Sequence, residues 1–301
     1  MKNPIFDELI KLKLIQKKNL ITLSNRTRDK KIKVIKDLKT KIIFLEKYIT
    51  TSDYYSALKY NDEDKKNVNK LKKTSNVKIL SGNIKTLMIE DDHRRASQFD
   101  KLLKNKDILD FGCGWGGFLK NVKNYKSLSG VELRNECSNY IRKNIKKIDI
   151  SNNINFFGKK FDIITMFHVL EHIPYQTKTL KLLKSKLKNK GKIIIEVPHA
   201  EDFLILQKEL KEFKNFTFWS EHLILHTYNS LKYILLKSGF KSVNIQYYQR
   251  YNFSNHLGWF LKRKPSDHDF YKKIISNSLN SSYCENLKKL GQTDTLIAIA
   301  K

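Results

Sequence analysis

A chain of 301 residues, 40% hydrophobic and 30% charged, is long enough to bury a substantial core and reads as a folded, soluble protein. Its three cysteines, Cys113, Cys137 and Cys284, lie far apart and form no C-x-x-C pair, which argues against a disulfide framework or a zinc knuckle and points to a reducing cytoplasm. The formal charge of +29 invites a nucleic-acid reading. Against it, only eight of the 59 basic residues are arginine, the better bidentate phosphate ligand, and the lysines run along the whole chain. Nucleic acid is therefore the secondary expectation, while charge alone leaves acidic substrates and an anionic membrane face open.

The N-terminal stretch MKNPIFDELIKLKLIQKKNL interleaves lysines with apolar side chains, so neither a secretory signal nor a membrane span is expected there or later. Residues 5–50 read as helix. Ile35, Leu38, Ile42, Leu45 and Ile49 recur at alternating three and four, a two-heptad seam better suited to docking on the main domain than to forming a dimer. Residues 61–76, NDEDKKNVNKLKKTSN, read as a polar linker. A helical N-terminal extension over 1–90 is thus set apart from a main domain over 91–301, which opens with a capped helix at Asp91–Lys104.

From residue 106 strands and helices alternate. A strand at 107–111 runs into a glycine turn and a helix near 116–124. A strand at 127–132 precedes a helix at 135–147 and a short strand at 154–157. A strand at 161–167, a helix after Pro174 and a strand at 192–197 follow, then a helix at 229–238, a strand at 241–248 and a last strand in TDTLIAIAK. This spacing implies parallel βαβ units in an α/β, Rossmann-like, doubly wound sheet. Between the last two strands, residues 249–293 show no helix by periodicity and read as an insertion that caps a substrate pocket.

The stretch Ile108–Gly117, ILDFGCGWGG, hands a buried strand to a helix through glycines. Asp110 stands two residues before the first glycine, where a carboxylate repels the phosphates of a dinucleotide but suits the ammonium and sulfonium of S-adenosylmethionine (SAM). The spacing is G-x-G-x-G-G with no Gly-Lys-Ser/Thr, which excludes a P-loop. Glu132 ends the second strand, where an acid reaches ribose hydroxyls.

These blocks, D-F-G-C-G-W-G-G-F, then G-V-E-L, then F-D-I-I-T-M-F-H-V-L-E-H-I-P, then L-K-N-K-G-K-I-I-I-E-V-P, resemble in order and spacing the class I SAM-dependent methyltransferases from about residue 106 to 200. The resemblance implies seven strands in the order 3-2-1-4-5-7-6 and SAM as cofactor. It places Asp110 and the Gly112–Cys113–Gly114 turn at the methionine end of SAM, lets Gly116 and Gly117 admit a close backbone approach, and puts Glu132 on the ribose. The adenine contact cannot be placed, because the link FFGKK lacks the usual aspartate.

The family moves a methyl by in-line displacement, largely through positioning and desolvation, and an oxygen or nitrogen acceptor can also need a base. His168 and His199 end two strands on the ligand-binding edge and are candidates for lining the cofactor or acceptor site. His222 is the candidate base or acceptor ligand, whereas His226 is expected to be packed. H-x-x-E-H with His222 is also similar to the metal-assisted RNA 3′-end 2′-O-methyltransferases (E-x-x-E-H plus a distant histidine), but His168 replaces the first glutamate and no metal is expected. The segment YYQRYNFSNHLGWFLKRKP (247–265) resembles a bacterial branch found with surface-polysaccharide and sugar biosynthesis, making Arg250, Asn255 and His256 candidate substrate contacts. The leading expectation is a cytoplasmic methyltransferase for a sugar or glycan-precursor hydroxyl. The alternatives are a lipid or quinone acceptor, an RNA methyltransferase, or a SAM-binding protein without activity.

Overall fold

The computed structural model describes residues 3–48, 84–264 and 274–301; the expected linker at 61–76 and Ile49 lie outside them. The chain begins with α1 (Pro4–Lys11), whose N-terminus is capped by the Asn3 side chain accepting from the Ile5 amide. The expected long helix stops there. Residues 20–45 instead form β1 (Leu20–Ser24), β2 (Val34–Asp37) and β3 (Ile43–Leu45), so the helical reading of the extension is corrected. Two physical causes are visible. The segments LITLS, VIKD and IFL favour strand through β-branched and aromatic side chains. Asp37, fully buried, accepts from the amides of Lys39 and Thr40 and from the Thr40 hydroxyl, closing a side-chain turn between β2 and β3. The presumed seam does not share a face: Leu38 is 48% exposed on that turn while Ile42 is fully buried.

The strands β1, β2 and β3 continue into β9 (Ile224–Leu225) as one antiparallel sheet. Asn3 donates from its side-chain amide to the carbonyls of Leu45 and Leu223, tying the N-terminal unit to the same place. Residues of this unit share a hydrophobic cluster with Leu204, Phe213, Phe218 and Trp259.

The main sheet follows two helices, α2 (Ile84–Gln98) and α3 (Asp100–Leu103). It contains β4 (Asp107–Phe111), β5 (Ser127–Val131), β6 (Ile148–Ser151), β7 (Phe161–Phe167), β8 (Leu187–Pro198), β10 (Val243–Tyr248) and β11 (Thr295–Ala300). Helices α4 (Gly117–Asn121), α5 (Asn135–Asn144), α6 (Gln176–Ser185) and α9 (Tyr228–Lys237) connect them, with α7 (Phe203–Leu206) and α8 (Lys211–Thr217) leading to β9. The strand order is β10-β11-β8-β7-β4-β5-β6. Counted along the chain from β4, that is the expected 3-2-1-4-5-7-6, with β11 antiparallel to both its neighbours. Successive residues of each central strand enter opposite cores. Leu109, Ile164, Ile193 and Ile195 pack on one face, and Ile108, Ile163 and Ile194 on the other, as a parallel sheet covered on both sides requires.

Two further segments differ from expectation. The third strand is IDIS, at 148–151, while Ile154–Phe156 forms a single 3-10 turn opened by the Asn153 side chain. Within 249–293 lie two helices, α10 (Phe253–Lys262) and α11 (Asn277–Leu290), capped by Asn252 and Ser276. Their start signals are local caps rather than a long apolar period.

Helix α2 crosses the sheet edge and is fastened there by charge. Glu196 of β8, whose side chain has no solvent access, accepts from Arg94 (2.8 and 2.9 Å) and Arg95 (2.6 Å). Removing one partner of a buried ion pair leaves the other charge unpaired in a low-dielectric site. Glu196→Ala is therefore expected to lower unfolding stability by about 3–5 kcal/mol, read from urea denaturation midpoints. A change below about 1 kcal/mol, the scale of an exposed pair, contradicts this anchoring role.

Candidate active site

The ends of β4, β5, β7 and β8 bring the expected residues to one edge of the sheet. Gly112, Gly114 and Gly116 all take positive φ (81°, 55° and 75°), a conformation in which a side chain is strained. A Cβ at Gly112 would stand 2.5 Å from the Val169 Cγ2 atom, so the turn after β7 packs directly on the glycine turn. Above Gly117 the space is taken. A Cβ there would meet the Asp92 carboxylate of α2. The approach that Gly117 permits is thus used by a side chain that the sequence reading passed over, although it sits in the conspicuous pair Asp91–Asp92.

Asp110 is 4% exposed and accepts one hydrogen bond, from the Thr165 hydroxyl of β7 at 2.7 Å. Among the described residues no cation pairs with it within salt-bridge distance. Burial, with Asp92 and Glu132 nearby, raises its pKa to about 7 despite the Thr165 bond. Burial likewise raises Asp92 to about 6. A buried carboxylate lacking a cation fits the ammonium of an amino-acid-bearing ligand.

Glu132 already has partners. It accepts from the Gly114 amide (2.8 Å) and from the Arg134 amide and guanidinium (2.9 and 3.0 Å). It therefore locks the glycine turn onto the end of β5, and a ribose hydroxyl would share this carboxylate with Arg134. Beyond it lie two large apolar side chains exposed at the same edge, Leu133 (53%) and Phe156 (70%). They suit a flat apolar ring where no aspartate follows β6. Cys113 is buried, and burial holds its thiol far above the ordinary range, so it is no nucleophile.

The candidate histidines fall into different environments. His168 has φ of 54° and points Nδ1 at Glu171 (3.1 Å) while Nε2 stands 3.3 Å from Glu196. Burial and Arg250 lower its pKa, but the two glutamates win and raise it overall. It is held between two carboxylates. His199 is buried, donates Nδ1–H to the Thr293 carbonyl (2.8 Å) and is pushed down to about 4 by burial. His226 is packed between Ser230 and Gln176. His222 is half-buried beside His172 and Trp219, with ring centroids 4.9 and 5.7 Å away. Burial lowers its pKa to about 3, which makes it a neutral ligand at physiological pH and a weak base. Glu171 is fully buried, and burial alone would raise it. The His168 bond and the neighbouring imidazoles bring it down to about 2.

The three residues expected to touch substrate are engaged inside the protein. Arg250 pairs through its guanidinium with Asp91, and its amide donates to Asp294. His256 is bonded to Tyr283 (2.7 Å) and Gln249 (3.1 Å) and stacks on Phe203. Asn255 is buried in the first turn of α10, its amide donating to Asn252. The segment braces the sheet edge and α2, because Asp91 links Arg250 to Arg94.

A model of the methyltransferase-domain family matches residues 85–245. An uncharacterised protein of Methanocaldococcus jannaschii is 34% identical over 142 residues, 44% of this chain and 61% of that protein. A tRNA U34 carboxymethyltransferase of Nautilia profundicola is 30% identical over 203 residues, 62% of this chain and 61% of that protein. The chain thus spans about three fifths of the length of these two curated relatives. Among solved structures, a SAM-dependent methyltransferase from Archaeoglobus fulgidus is similar with a TM-score of 0.48 at 22% identity, covering 71% of this chain and 94% of that one. The family match takes in more than half of the chain and every strand from β4 to β8, with Asp110, the glycine turn and Glu132 inside it, and the protein belongs to the methyltransferase-domain family.

Proposed function

We propose that the protein is a SAM-dependent methyltransferase whose acceptor is a hydroxyl of a small or medium-sized polar molecule, a sugar or glycan precursor. The observation that carries the cofactor assignment is Asp110, a buried carboxylate with no cation partner among the described residues, beside a glycine turn that Glu132 holds open-backed. SAM, when bound, supplies a methyl on a positively charged sulfur. Asp110 takes its ammonium, Glu132 its ribose, and Leu133 with Phe156 flank its adenine.

The acceptor side lies on the turn after β7. His172, His222 and Trp219 offer ring faces and imidazole nitrogens at partial exposure, a lining that suits a sugar ring with its apolar faces and hydroxyl rim. His222 acts as an acceptor ligand rather than the proton sink, because it is a weak base. His168 and Glu171 position the turn, and His199 stays buried behind it. Methyl transfer then relies on alignment: the acceptor oxygen takes the methyl, the sulfur–methyl bond breaks to leave a neutral thioether, and the hydroxyl proton passes to bulk water. A second reading, an RNA acceptor, is favoured by the relative named as a tRNA-modifying enzyme and by the net charge of +29.

Two outcomes test these assignments. Burial keeps a proton on Asp110 until the pH reaches about 7, and a cationic ligand binds the ionised form. SAM affinity is therefore expected to rise with pH up to about 7 and level off above, by at most about tenfold per pH unit below it. Calorimetry on the wild type and Asp110→Asn reads this directly; a flat profile in the wild type removes Asp110 from the ammonium site. The acceptor is found by offering radiolabelled SAM with fractionated lysate of the source cell, using Asp110→Ala as the control. Label is expected in soluble sugars or glycans and absent with the variant. Label confined to RNA replaces the sugar reading with the second one.

A further inference from the structure

Glu171 and His172, in the 3-10 turn Leu170–His172, meet His222 from the loop before β9. One carboxylate oxygen and one ring nitrogen from each histidine all lie within 4.8 Å of one another. Both residues of the turn are oriented from behind. His172 donates Nδ1–H to the Glu221 carbonyl at 2.9 Å, which leaves the lone pair on Nε2, turned toward Glu171 at 4.0 Å. Glu171 receives His168 on one oxygen, while its other oxygen, Oε2, is buried with no hydrogen-bond partner. Buried polar atoms are nearly always satisfied, so an orphaned oxygen on a carboxylate whose other oxygen faces His168 and His172 needs an explanation. The His222 ring itself makes no hydrogen bond among the described residues; it only stands edge-on to His172 and Trp219.

We propose that Glu171, His172 and His222 form a binding site for a divalent transition-metal ion of the zinc, cobalt or manganese type. Two imidazoles with one carboxylate are a donor set for these ions, whereas calcium and magnesium prefer oxygen alone. A carbonyl behind one ligating histidine and an imidazole behind the carboxylate are the outer contacts that orient such ligands. Ligand atoms around a zinc-sized ion, bonded at about 2.0–2.2 Å, stand about 3.3–3.5 Å apart. The trio, within 4.8 Å of one another, stands wider than that spacing and draws together on the ion. His168 is not a ligand; its two nitrogens face Glu171 and Glu196. Three protein ligands leave a further coordination position. Resting on the methyltransferase reading, that position takes an oxygen of the acceptor, because Val169 of the same turn packs on Gly112 of the cofactor turn.

The test uses the full chain, stripped with chelator and titrated with Co²⁺ or Zn²⁺ alone. One ion per chain is expected, with the visible absorption of four- or five-coordinate cobalt. His222→Ala and Glu171→Gln are expected to weaken binding at least about 100-fold, while His93→Ala, at an exposed histidine of α2, leaves it unchanged. Absence of stoichiometric binding in the wild type overturns the site, as does binding that survives His222→Ala or is lost in His93→Ala. Should the variants unfold, X-ray absorption of the zinc-loaded wild type counts the imidazoles. Two are expected, and fewer overturns the proposal. SAM calorimetry on the same samples separates the two claims. SAM binding without metal binding rejects the metal site alone, and metal binding without SAM binding rejects the methyltransferase reading alone.

Discussion

A carboxylate shut away from water at the end of β8 sets the terms for the rest of the site. Glu196 must be met by positive charge, because an unpaired ion in that position would be far too costly to keep. Arg94 and Arg95 meet it from α2, and His168 approaches from the end of β7. That single requirement fixes where α2 lies. It also helps hold His168 with a positive φ, an uncommon state for a residue with a side chain. With α2 in place, Asp92 comes to rest over Gly117 and Asp91 reaches Arg250, so α2 and the C-terminal segment meet across the same edge.

The same edge carries carboxylates treated in opposite ways. Glu196 is held far on the ionised side, since its arginines and His168 outweigh burial. Asp110 has only a neutral hydroxyl and is pushed toward its protonated form. Asp294, though buried and raised, is wrapped by backbone amides of Arg250 and Tyr251 and by the Gln249 amide. The contrast is chemical information. Asp110, left with a single neutral hydroxyl, lacks both the cations that meet Glu196 and the ring of amides around Asp294, and for that reason a ligand's cation is proposed there.

This division also explains what the sequence could reveal. The central sheet was legible because its central strands alternate between two cores and the glycines after Asp107–Phe111 fall where the chain turns, although Gly191, which reads as a stop, lies inside β8. Residues 20–45 were not, since Ile35, Leu38, Ile42 and Leu45 satisfy a helical spacing that short strands with an Asp37 turn satisfy equally well. The glycine turn, Asp110 and Glu132 gather at one edge as read. The roles read into Arg250 and His256 depended on which polar groups find distant partners, as Arg250 does with Asp91 and Asp294 and His256 with Tyr283, and no local pattern encodes that. Asp92 was hidden for the same reason. Its importance comes from a glycine that is 25 positions away.

The histidines carry the point into chemistry. The sequence made His168 and His199 candidates for lining the site and His222 the candidate base, and the fold sorts them by what surrounds them. His168 lies between Glu171 and Glu196, which hold it toward its charged form. His199 and His222 are driven by burial toward the neutral form, and of the two only His222 keeps partial exposure. A neutral imidazole of low basicity is a poor proton acceptor but a good electron-pair donor to a metal or a good hydrogen-bond acceptor for a hydroxyl. A methyl group transferred from a cationic sulfur leaves a neutral thioether, and the positive charge departs with the acceptor's proton. On the proposed reading, alignment by Glu171, His172 and His222 takes the place of a strong base, because a strong base would itself have to be kept charged or solvated there.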